Sequence, residues 1–349
     1  MKTTKRILAL MLSVLVLVSG CAIAAQAAEA KEIKIMSYNV AGLPVGMDVP
    51  TNQAALGNIF NKSGYDIIAV QEDFTYHNMM AENLSKEIYP HWTNHSGAVP
   101  GGDGLNIFSK YPLYNEERTT WRSLSGVIEG GADELTPKGI LYTLIELEDG
   151  VYLDFYTVHA DAYGDPGSVA ARSDNFRQLA EIINKRGTKN PVIIAGDFNT
   201  AHHYFGEASR DVFREVLIDG CGFKDNWVEL VNDGDYDKFV GYPGDHFGYW
   251  DSLDKVLYRD GDGVKLTATE FEYKFILNNK GESISDHAAA LSTFTYEKTE
   301  SFTENDEETE VVKPDKNRNL FAFIKTTIMD IIKLLTDFDK ILALLGINK

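Results

Sequence analysis

Short apolar runs alternate with helix-like stretches along most of the chain, and several of the runs end on a polar side chain. The runs EIKIMSYNV, YDIIAVQED and PVIIAGDFNT have the length and β-branched content of buried strands. The stretches TNQAALGNIFNKSG and SVAARSDNFRQLAEIINKRG carry apolar residues at helical spacing. This alternation predicts an α/β domain over residues 31–297.

Two further segments have the pattern of β-hairpins. In TLIELEDGVYLDFYTVHAD, two alternating runs flank Asp149 and Gly150, and Asp-Gly is a strong turn signal. The segment DSLDKVLYRDGDGVKLTATEFEYKF predicts a second hairpin-like region. The run SISDHAAALSTFTY then predicts the strand that closes the domain.

The composition changes after Glu297. Residues 298–318 are rich in acidic side chains and contain a proline, which predicts a solvated linker. In residues 319–349, apolar side chains recur at alternating spacings of three and four, which predicts an amphipathic helix. Charged residues interrupt this segment too often for a membrane span. The helix could dock on its own domain, or it could serve oligomerisation or binding to a membrane surface.

The N-terminus has the three parts of an export signal. The basic leader MKTTKR is followed by the apolar run ILALMLSVLVLV and then by VSGC, which ends on Cys21. Small residues before a cysteine resemble a bacterial lipobox, so we predict a lipoprotein-type signal peptide over residues 1–20 and lipidation of Cys21. Ordinary cleavage after AQA at residues 25–27 is the alternative. Either route takes the protein out of the cytoplasm.

Charge and cysteine content narrow the classes of function. The chain has 349 residues, 44% of them hydrophobic, and a formal net charge of −19. An acidic field repels polyanions, so we expect no stable complex with nucleic acid, although a nuclease that works through a metal stays compatible with it. Such a field suits a divalent cation. The only cysteines are Cys21 and Cys221, which leaves no disulfide framework.

Polar side chains gather at the ends of the predicted strands. They are Asn39, Glu72, His159 with Asp161, Asp197 with Asn199, and Asp286 with His287. If these strands share a sheet, the side chains form one polar cluster at its rim. Carboxylate and amide oxygens suit a hard cation such as Mg²⁺, and histidines beside carboxylates suit acid–base chemistry on a phosphate ester.

An ordered set of short motifs carries a resemblance to a known family. The segments SYNVAGLP, DIIAVQED, GLNIFSKYP, TVHADA, AGDFNT, DSLDKVLY and SDHAA resemble, in this order, those of the endonuclease/exonuclease/phosphatase superfamily. That deoxyribonuclease I-like superfamily includes abasic-site endonucleases, inositol-polyphosphate 5-phosphatases and bacterial neutral sphingomyelinases. The resemblance implies a four-layer α/β/β/α sandwich of two mixed β-sheets flanked by helices.

The resemblance also implies a metal site and its surroundings. Glu72 would be the principal Mg²⁺ ligand, with Asn39 beside it and Asp286 near the metal. Asp161 and Lys138 would lie close by and contact the substrate. Other divalent cations could replace Mg²⁺. His202 and His203 receive no role.

The catalytic roles that the resemblance implies fall on five residues. Asp197 and Asn199 would position the attacking water and the phosphate. Asp254 would orient His287, and this pair would activate the water. His159 would stabilise the phosphorane or protonate the leaving oxygen.

The motif details look most like the sphingomyelinase branch, in which a phosphodiester is cut to release phosphocholine and ceramide. SYNVAGLP, the PKG step at 137–139 and VHADA carry this likeness. The chain departs from family patterns in three places. Ala41 stands where abasic endonucleases have Asp, and SDHAAA lacks the usual proline. No Trp-Phe pair marks the late hairpin. The segment HFGYWD at 246–251 offers another aromatic edge.

We therefore predict an exported Mg²⁺-dependent phosphodiesterase that acts on a phospholipid. It would reach the membrane surface through the lipid anchor and the C-terminal helix. The alternatives are a secreted deoxyribonuclease I-like nuclease and an inositol-phosphate phosphatase, although no Lys/Arg cluster lies near the motifs. A catalytically inactive surface binding module is the non-enzyme alternative.

Overall fold

The computed structural model describes residues 30–43, 49–98, 101–126, 133–134, 136–202, 208–238, 241 and 253–303. The predicted signal peptide with Cys21, the C-terminal helix and most of the acidic linker lie outside these residues. His203 and the HFGYWD segment lie outside them as well.

Two six-stranded sheets form the centre of the fold. In the first sheet the spatial order is β11-β12-β1-β2-β4-β3, and in the second it is β5-β6-β7-β8-β10-β9, with strands numbered along the chain. The strands of the first sheet are β1 (Lys31–Asn39), β2 (Ile67–Gln71), β3 (His91–Trp92), β4 (Asn106–Ser109), β11 (Val264–Lys274) and β12 (Ala289–Lys298). Those of the second are β5 (Leu113–Thr120), β6 (Gly139–Glu148), β7 (Val151–His159), β8 (Val192–Asp197), β9 (Lys224–Asp225) and β10 (Asp254–Arg259).

Each sheet contains a parallel pair near its middle. β1 runs parallel to β2, and β7 runs parallel to β8. The described pairs β2–β4, β6–β7 and β8–β10 are antiparallel. Because parallel strands end on the same edge, each parallel pair delivers its two C-terminal residues to one side of its sheet.

Helices cover the outer face of each sheet. They are α1 (Val49–Ser63), α2 (His77–Ala81), α3 (Pro166–Arg186) and α4 (Ala208–Phe213), which continues into a π-helical turn (Arg214–Asp219). A fifth helix, α5 (Asn226–Val231), instead contributes Trp227 and Val228 to the core between the sheets. Leu56 and Phe60 of α1 join the core on the first sheet, and Phe176 and Leu179 of α3 join the core on the second. The four-layer sandwich implied by the motifs is confirmed. Within the described residues, no helix is long and apolar enough to cross a membrane.

Helix α3 has sequence signals at both ends. Asp165 accepts hydrogen bonds from the backbone N–H groups of Gly167 and Ser168, and Pro166 occupies the first helical position. Gly187 ends the helix with a φ of 93°, a conformation that glycine adopts without a Cβ penalty. These local signals set the residues at which the helix begins and ends.

The space between the sheets is filled by the inward-facing residues of both. Ile35, Ile67, Phe155, Ile193 and Val256 all belong to this core and are 0% exposed. Alternating side chains on β7 and β8 also feed the outer core, so these strands are buried on both faces. This explains why their sequences are nearly continuous apolar runs.

The structure corrects two expectations from the pattern. The hairpin around Asp149 and Gly150 is confirmed as β6–β7, but the segment after Asp254 is not a hairpin, because β10 lies in the second sheet and β11 in the first. Its two strands take separate neighbours, β10 beside β8 and β11 beside β12. The polar strand ends likewise belong to two sheets and not to one shared sheet. Asp286 and His287 end no strand, because they lie in the loop before β12.

Candidate active site

The register of the strands places most of the predicted residues side by side. Asn39 pairs with Gln71 across β1 and β2, and Glu72 follows directly. In the second sheet, Asp197 pairs with His159 on one side and with Asp254 on the other. The ends of both sheets therefore contribute to one site.

The buried side chain of Asn39 joins the two sets. Its Nδ2 donates to Glu72 Oε1 at 3.1 Å and to Asp197 Oδ2 at 3.1 Å. Its Oδ1 accepts from the backbone N–H of Ala41 at 3.0 Å, which fixes the amide's orientation. Asn39 is 0% exposed, so these hydrogen bonds form away from solvent. One amide thus holds carboxylates from the two sheets next to each other.

Three residues at the site have left-handed backbone that is uncommon outside glycine. The φ values are 48° for Ala41, 59° for Glu72 and 49° for Asn199. Asn199 is held by its own backbone N–H, which donates to Asp197 Oδ1 at 2.9 Å, and by Nδ2, which donates to the Ala160 carbonyl at 3.1 Å. Backbone of this kind costs free energy and persists only where the surrounding contacts hold it in place. It is found most often at functional sites.

His287 and Asp254 form a close pair. His287 Nδ1 lies 2.7 Å from Asp254 Oδ2, and His287 Nε2 lies 3.8 Å from Asp197 Oδ2. Burial alone lowers the pKa of His287, but the charges of Asp254 and Asp197 outweigh it and raise the pKa well above 6.5. Burial raises the pKa of Asp254 to about 6, against the charge of His287. The pair carries a protonated imidazole near neutral pH.

His159 approaches the same oxygen of Asp197 as His287 does and has the opposite protonation. Its Nε2 is 3.4 Å from Asp197 Oδ2. Burial first, and then the charge of Lys138, push the pKa of His159 well below 6.5, so the ring is neutral. Burial works to raise the pKa of Asp197, but neighbouring positive charges, that of His287 foremost, outweigh it and hold the pKa below 3.8. One carboxylate oxygen therefore lies near a charged and a neutral histidine.

Lys138 and Asp161, both predicted to contact substrate, occupy different places. Lys138 lines the cavity, where its Nζ pairs with Asp133 Oδ1 at 2.8 Å. Asp161 is 0% exposed and is not among the residues that line the cavity. Its Oδ2 accepts from the backbone N–H of Ser125 at 2.7 Å. Burial, together with the charge of Asp133, raises the pKa of Asp161 to about 7.

The site opens into a cavity of about 360 Å³. Glu72, His159, Asp197, Asn199, Asp286 and His287 line it, whereas Asn39 and Asp254 lie behind these residues. Burial raises the pKa of Glu72, which means that its charge is under-compensated. An oxygen-rich set of this kind fits a hard divalent cation, which would offset that charge.

Several side chains at or near this site are absent from the prediction made from the sequence. Phe74 and Tyr163 line the cavity, and Asp133 neutralises Lys138 there. Beyond Glu72, the ligand atoms of Asp73, His77 and His95 lie within 4.8 Å of one another, as do those of Asp197, Asp254 and His287. The spacing of four between Asp73 and His77 was a readable signal, but His95 comes from a separate loop.

Gly42 gives a prediction about the backbone of Glu72. A Cβ at Gly42 would lie 2.2 Å from the Glu72 carbonyl oxygen, a contact that backbone cannot relieve without moving. We expect Gly42→Ala to lower the free energy of unfolding by about 1–3 kcal/mol. Gly164→Ala is the control, since nothing lies within 4 Å of its Cβ position. Urea denaturation of both variants measures this, and equal stabilities would contradict the prediction.

Asp254→Asn tests the electrostatics of His287. Removing the charge nearest to Nδ1 should lower the pKa of His287, as followed by NMR titration of the metal-free protein. Asp286→Asn removes a weaker contribution and should lower the pKa less. Because the folded pKa is raised, protonated His287 stabilises the fold below about pH 6.5, and this contribution is lost as the pH rises through the raised pKa. An unchanged His287 titration in Asp254→Asn would contradict the assignment.

Comparison with known proteins places this geometry in a family. The sphingomyelinase of Mycobacterium tuberculosis is 31% identical over 283 residues, which cover 76% of this chain and 53% of the relative. The chain thus spans about half the length of the curated relatives it matches.

Solved structures share the fold at lower identity. TDP2 of D. rerio, complexed with a single-strand DNA product, has a TM-score of 0.57 at 17% identity. The match covers 76% of this chain and 99% of the TDP2 chain. A mutant beta toxin of Staphylococcus aureus with bound magnesium ions has a TM-score of 0.53 at 17% identity, and the match covers 75% of this chain and 99% of the toxin chain.

The model of the Endonuclease/Exonuclease/phosphatase family matches residues 36–287. Since that match takes in more than half of the chain, the chain belongs to the Endonuclease/Exonuclease/phosphatase family.

Proposed function

We propose that the protein is a Mg²⁺-dependent phosphodiesterase of the sphingomyelinase type, which hydrolyses a lipid phosphodiester and releases the phosphorylated headgroup. One observation carries the proposal: the buried amide of Asn39 holds Glu72 beside Asp197, whose Oδ2 lies 3.4 Å from His159 Nε2 and 3.8 Å from His287 Nε2. Such a set can stabilise negative charge and move protons in the same cavity. The curated relatives named sphingomyelinase support the choice of substrate class.

Asp254 and His287 supply the proton chemistry in this proposal. Asp254 Oδ2 accepts from His287 Nδ1 and so leaves Nε2 as the atom that faces Asp197 and the cavity. Nε2 would take a proton from the attacking water once His287 has lost its own. The water oxygen then bonds to phosphorus as the bond from phosphorus to the lipid oxygen breaks. The lipid oxygen takes a proton from solvent water as it leaves, and His287 later returns its proton to the solvent.

Asp197, Asn199 and His159 would position the reacting groups. Asp197 accepts from Asn39 and from the Asn199 backbone, so its carboxylate is fixed on both oxygens. Neutral His159 can donate a hydrogen bond to a phosphoryl oxygen without adding a charge that would compete with His287. The rigid backbone at Asn199 would hold its amide toward the same phosphate.

Glu72, Asn39 and Asp286 are the residues that would hold Mg²⁺. When bound, the cation would polarise a phosphoryl oxygen and offset the negative charge that raises the pKa of His287. The beta toxin with bound magnesium ions has the same fold, which supports Mg²⁺ as the cation to test first.

A nuclease is the second candidate, because TDP2 with its DNA product has the same fold. The net charge of −19 disfavours a polyanionic substrate. Lys138, which lines the cavity, is already paired with Asp133. The set of cavity residues disfavours an inactive binding module, which needs none of this geometry.

Phosphocholine release from sphingomyelin vesicles, run beside plasmid degradation, tests the function. We expect Mg²⁺-dependent release that EDTA abolishes, with intact plasmid. His287→Ala should slow release by about 10²–10⁴-fold, because it removes the proton-transfer group, and His91→Ala should leave the rate unchanged. Nicked plasmid with intact vesicles would make the protein a nuclease. Full activity in His287→Ala would contradict the site assignment.

Tyr163 gives a prediction about the headgroup. It lines the cavity, is 65% exposed and has a φ of 69°, and its carbonyl accepts from the buried Arg172 at 2.7 Å. A quaternary ammonium group prefers an aromatic face. We expect Tyr163→Ala to raise KM for sphingomyelin about 2- to 30-fold, while Tyr163→Phe keeps it. Both variants should hydrolyse bis(4-nitrophenyl) phosphate, which has no cation, at the normal rate. Equal losses on both substrates would contradict a headgroup role.

Export and lipidation of Cys21 also belong to the proposal, and they rest on the pattern of residues 1–21. Mass spectrometry of the mature protein from its bacterial membrane fraction should find a chain that begins at lipidated Cys21. Cys21→Ala should shift the protein to the soluble fraction. A wild-type mature chain that begins after Ala27 and stays soluble would contradict lipidation.

A further inference from the structure

A second cluster of metal-ligating side chains lies beyond Glu72. Asp73 directly follows Glu72, His77 begins helix α2, and His95 lies in the loop between β3 and β4. His77 Nδ1 is 2.6 Å from Asp73 Oδ2, and His95 Nε2 is 3.0 Å from the Asp73 carbonyl oxygen. The ligand atoms of the three side chains lie within 4.8 Å of one another. None of these residues belongs to the catalytic set.

Asp73 is the least compensated member of the cluster. It is 0% exposed, and its Oδ2 accepts from Asn106 Nδ2 at 2.8 Å as well as contacting His77. Its Oδ1 is buried and has no hydrogen-bond partner among the described residues. A buried carboxylate oxygen without a partner costs free energy that a bound cation would recover. The hydrogen bond from Asn106 would hold the Asp73 carboxylate in the orientation that ligation needs.

The cluster is reachable from solvent. His77 and His95 line a cavity of about 440 Å³, to which His91 and Asn94 also contribute. The two rings are stacked, with centroids 4.1 Å apart and planes 9° from parallel. Because the lone pair of an imidazole nitrogen lies in the ring plane, two rings stacked face to face cannot both direct a lone pair at one ion. Ligation therefore requires one ring to turn about its Cβ–Cγ bond, and the adjoining cavity gives room for this.

The donor chemistry distinguishes this cluster from the catalytic site. Two imidazoles and one carboxylate suit Zn²⁺ and neighbouring first-row cations, whereas the oxygen-rich set around Glu72 suits Mg²⁺. We propose that Asp73, His77 and His95 form a second cation site that binds Zn²⁺ or a similar first-row transition metal, separately from the site at Glu72. This inference does not depend on the reaction that the protein catalyses.

Equilibrium dialysis of the full chain against Zn²⁺, in millimolar Mg²⁺ and with metal counted by mass spectrometry, tests the site. The wild-type chain should bind an equivalent of Zn²⁺ that His77→Ala and His95→Ala each lose. His91→Ala is the matched control, because His91 lines the same cavity without belonging to the cluster, and it should keep the equivalent. Glu72→Gln should keep it too, which separates this result from any failure of the proposed function.

Cobalt substitution keeps the test decisive if an alanine variant fails to fold, as judged by circular dichroism. Wild-type protein with Co²⁺ should develop visible d–d bands typical of nitrogen and oxygen ligation, and Zn²⁺ should displace them. His95→Gln, a milder change, should lack those bands. Equal Zn²⁺ binding by the wild type and the folded histidine variants, or a wild type that binds no Zn²⁺, would overturn the proposal and leave the cluster as a hydrogen-bonded network.

Discussion

The hydrogen bonds of Asn39 are the contacts on which the rest of the site depends. Without them, two carboxylates from different sheets, Glu72 and Asp197, would face each other in a buried space with nothing between them. A single amide donates to both and is itself fixed by Ala41. Burial makes these hydrogen bonds strong and makes their loss costly. The amide therefore links the packing of the two sheets to the arrangement of the reactive groups.

The fold of the two sheets determines the protonation of the two site histidines as well as their positions. His159 and His287 both approach Asp197 Oδ2, yet their pKa values are moved in opposite directions. Burial and Lys138 act on His159, whereas Asp254 and Asp197 dominate at His287. Two titratable groups of one type with separated pKa values are a usual arrangement for acid–base chemistry. Here the separation arises because His159 ends β7 in a buried position near Lys138, whereas His287 lies in the loop before β12, against Asp254.

Sequence reasoning identified most of the residues that the structure brings together at the candidate site, because the information is local. An apolar run that ends on Asn39 or Asp197 marks both the strand and the residue delivered at its end. Partner choice between strands is not local: the DGDG signal after Arg259 indicates a turn but cannot say that β10 and β11 join different sheets.

Asp161 follows His159 by two residues and yet lies behind the cavity, because the loop after β7 buries it against Ser125. The cluster of Asp73, His77 and His95 combines a helix start with a distant loop, so only the fold brings it together.

Anomalous diffraction from crystals grown with Mn²⁺ in place of Mg²⁺ tests the central claim most directly, because it locates the cation without reference to substrate. The account predicts an anomalous peak bonded to Glu72 and adjoining Asn39, on the cavity side of the amide that joins the two sheets. A peak elsewhere in the cavity with Glu72 unbound, or no peak at saturating Mn²⁺, would contradict the claim that the two sheets build a metal-assisted hydrolytic site.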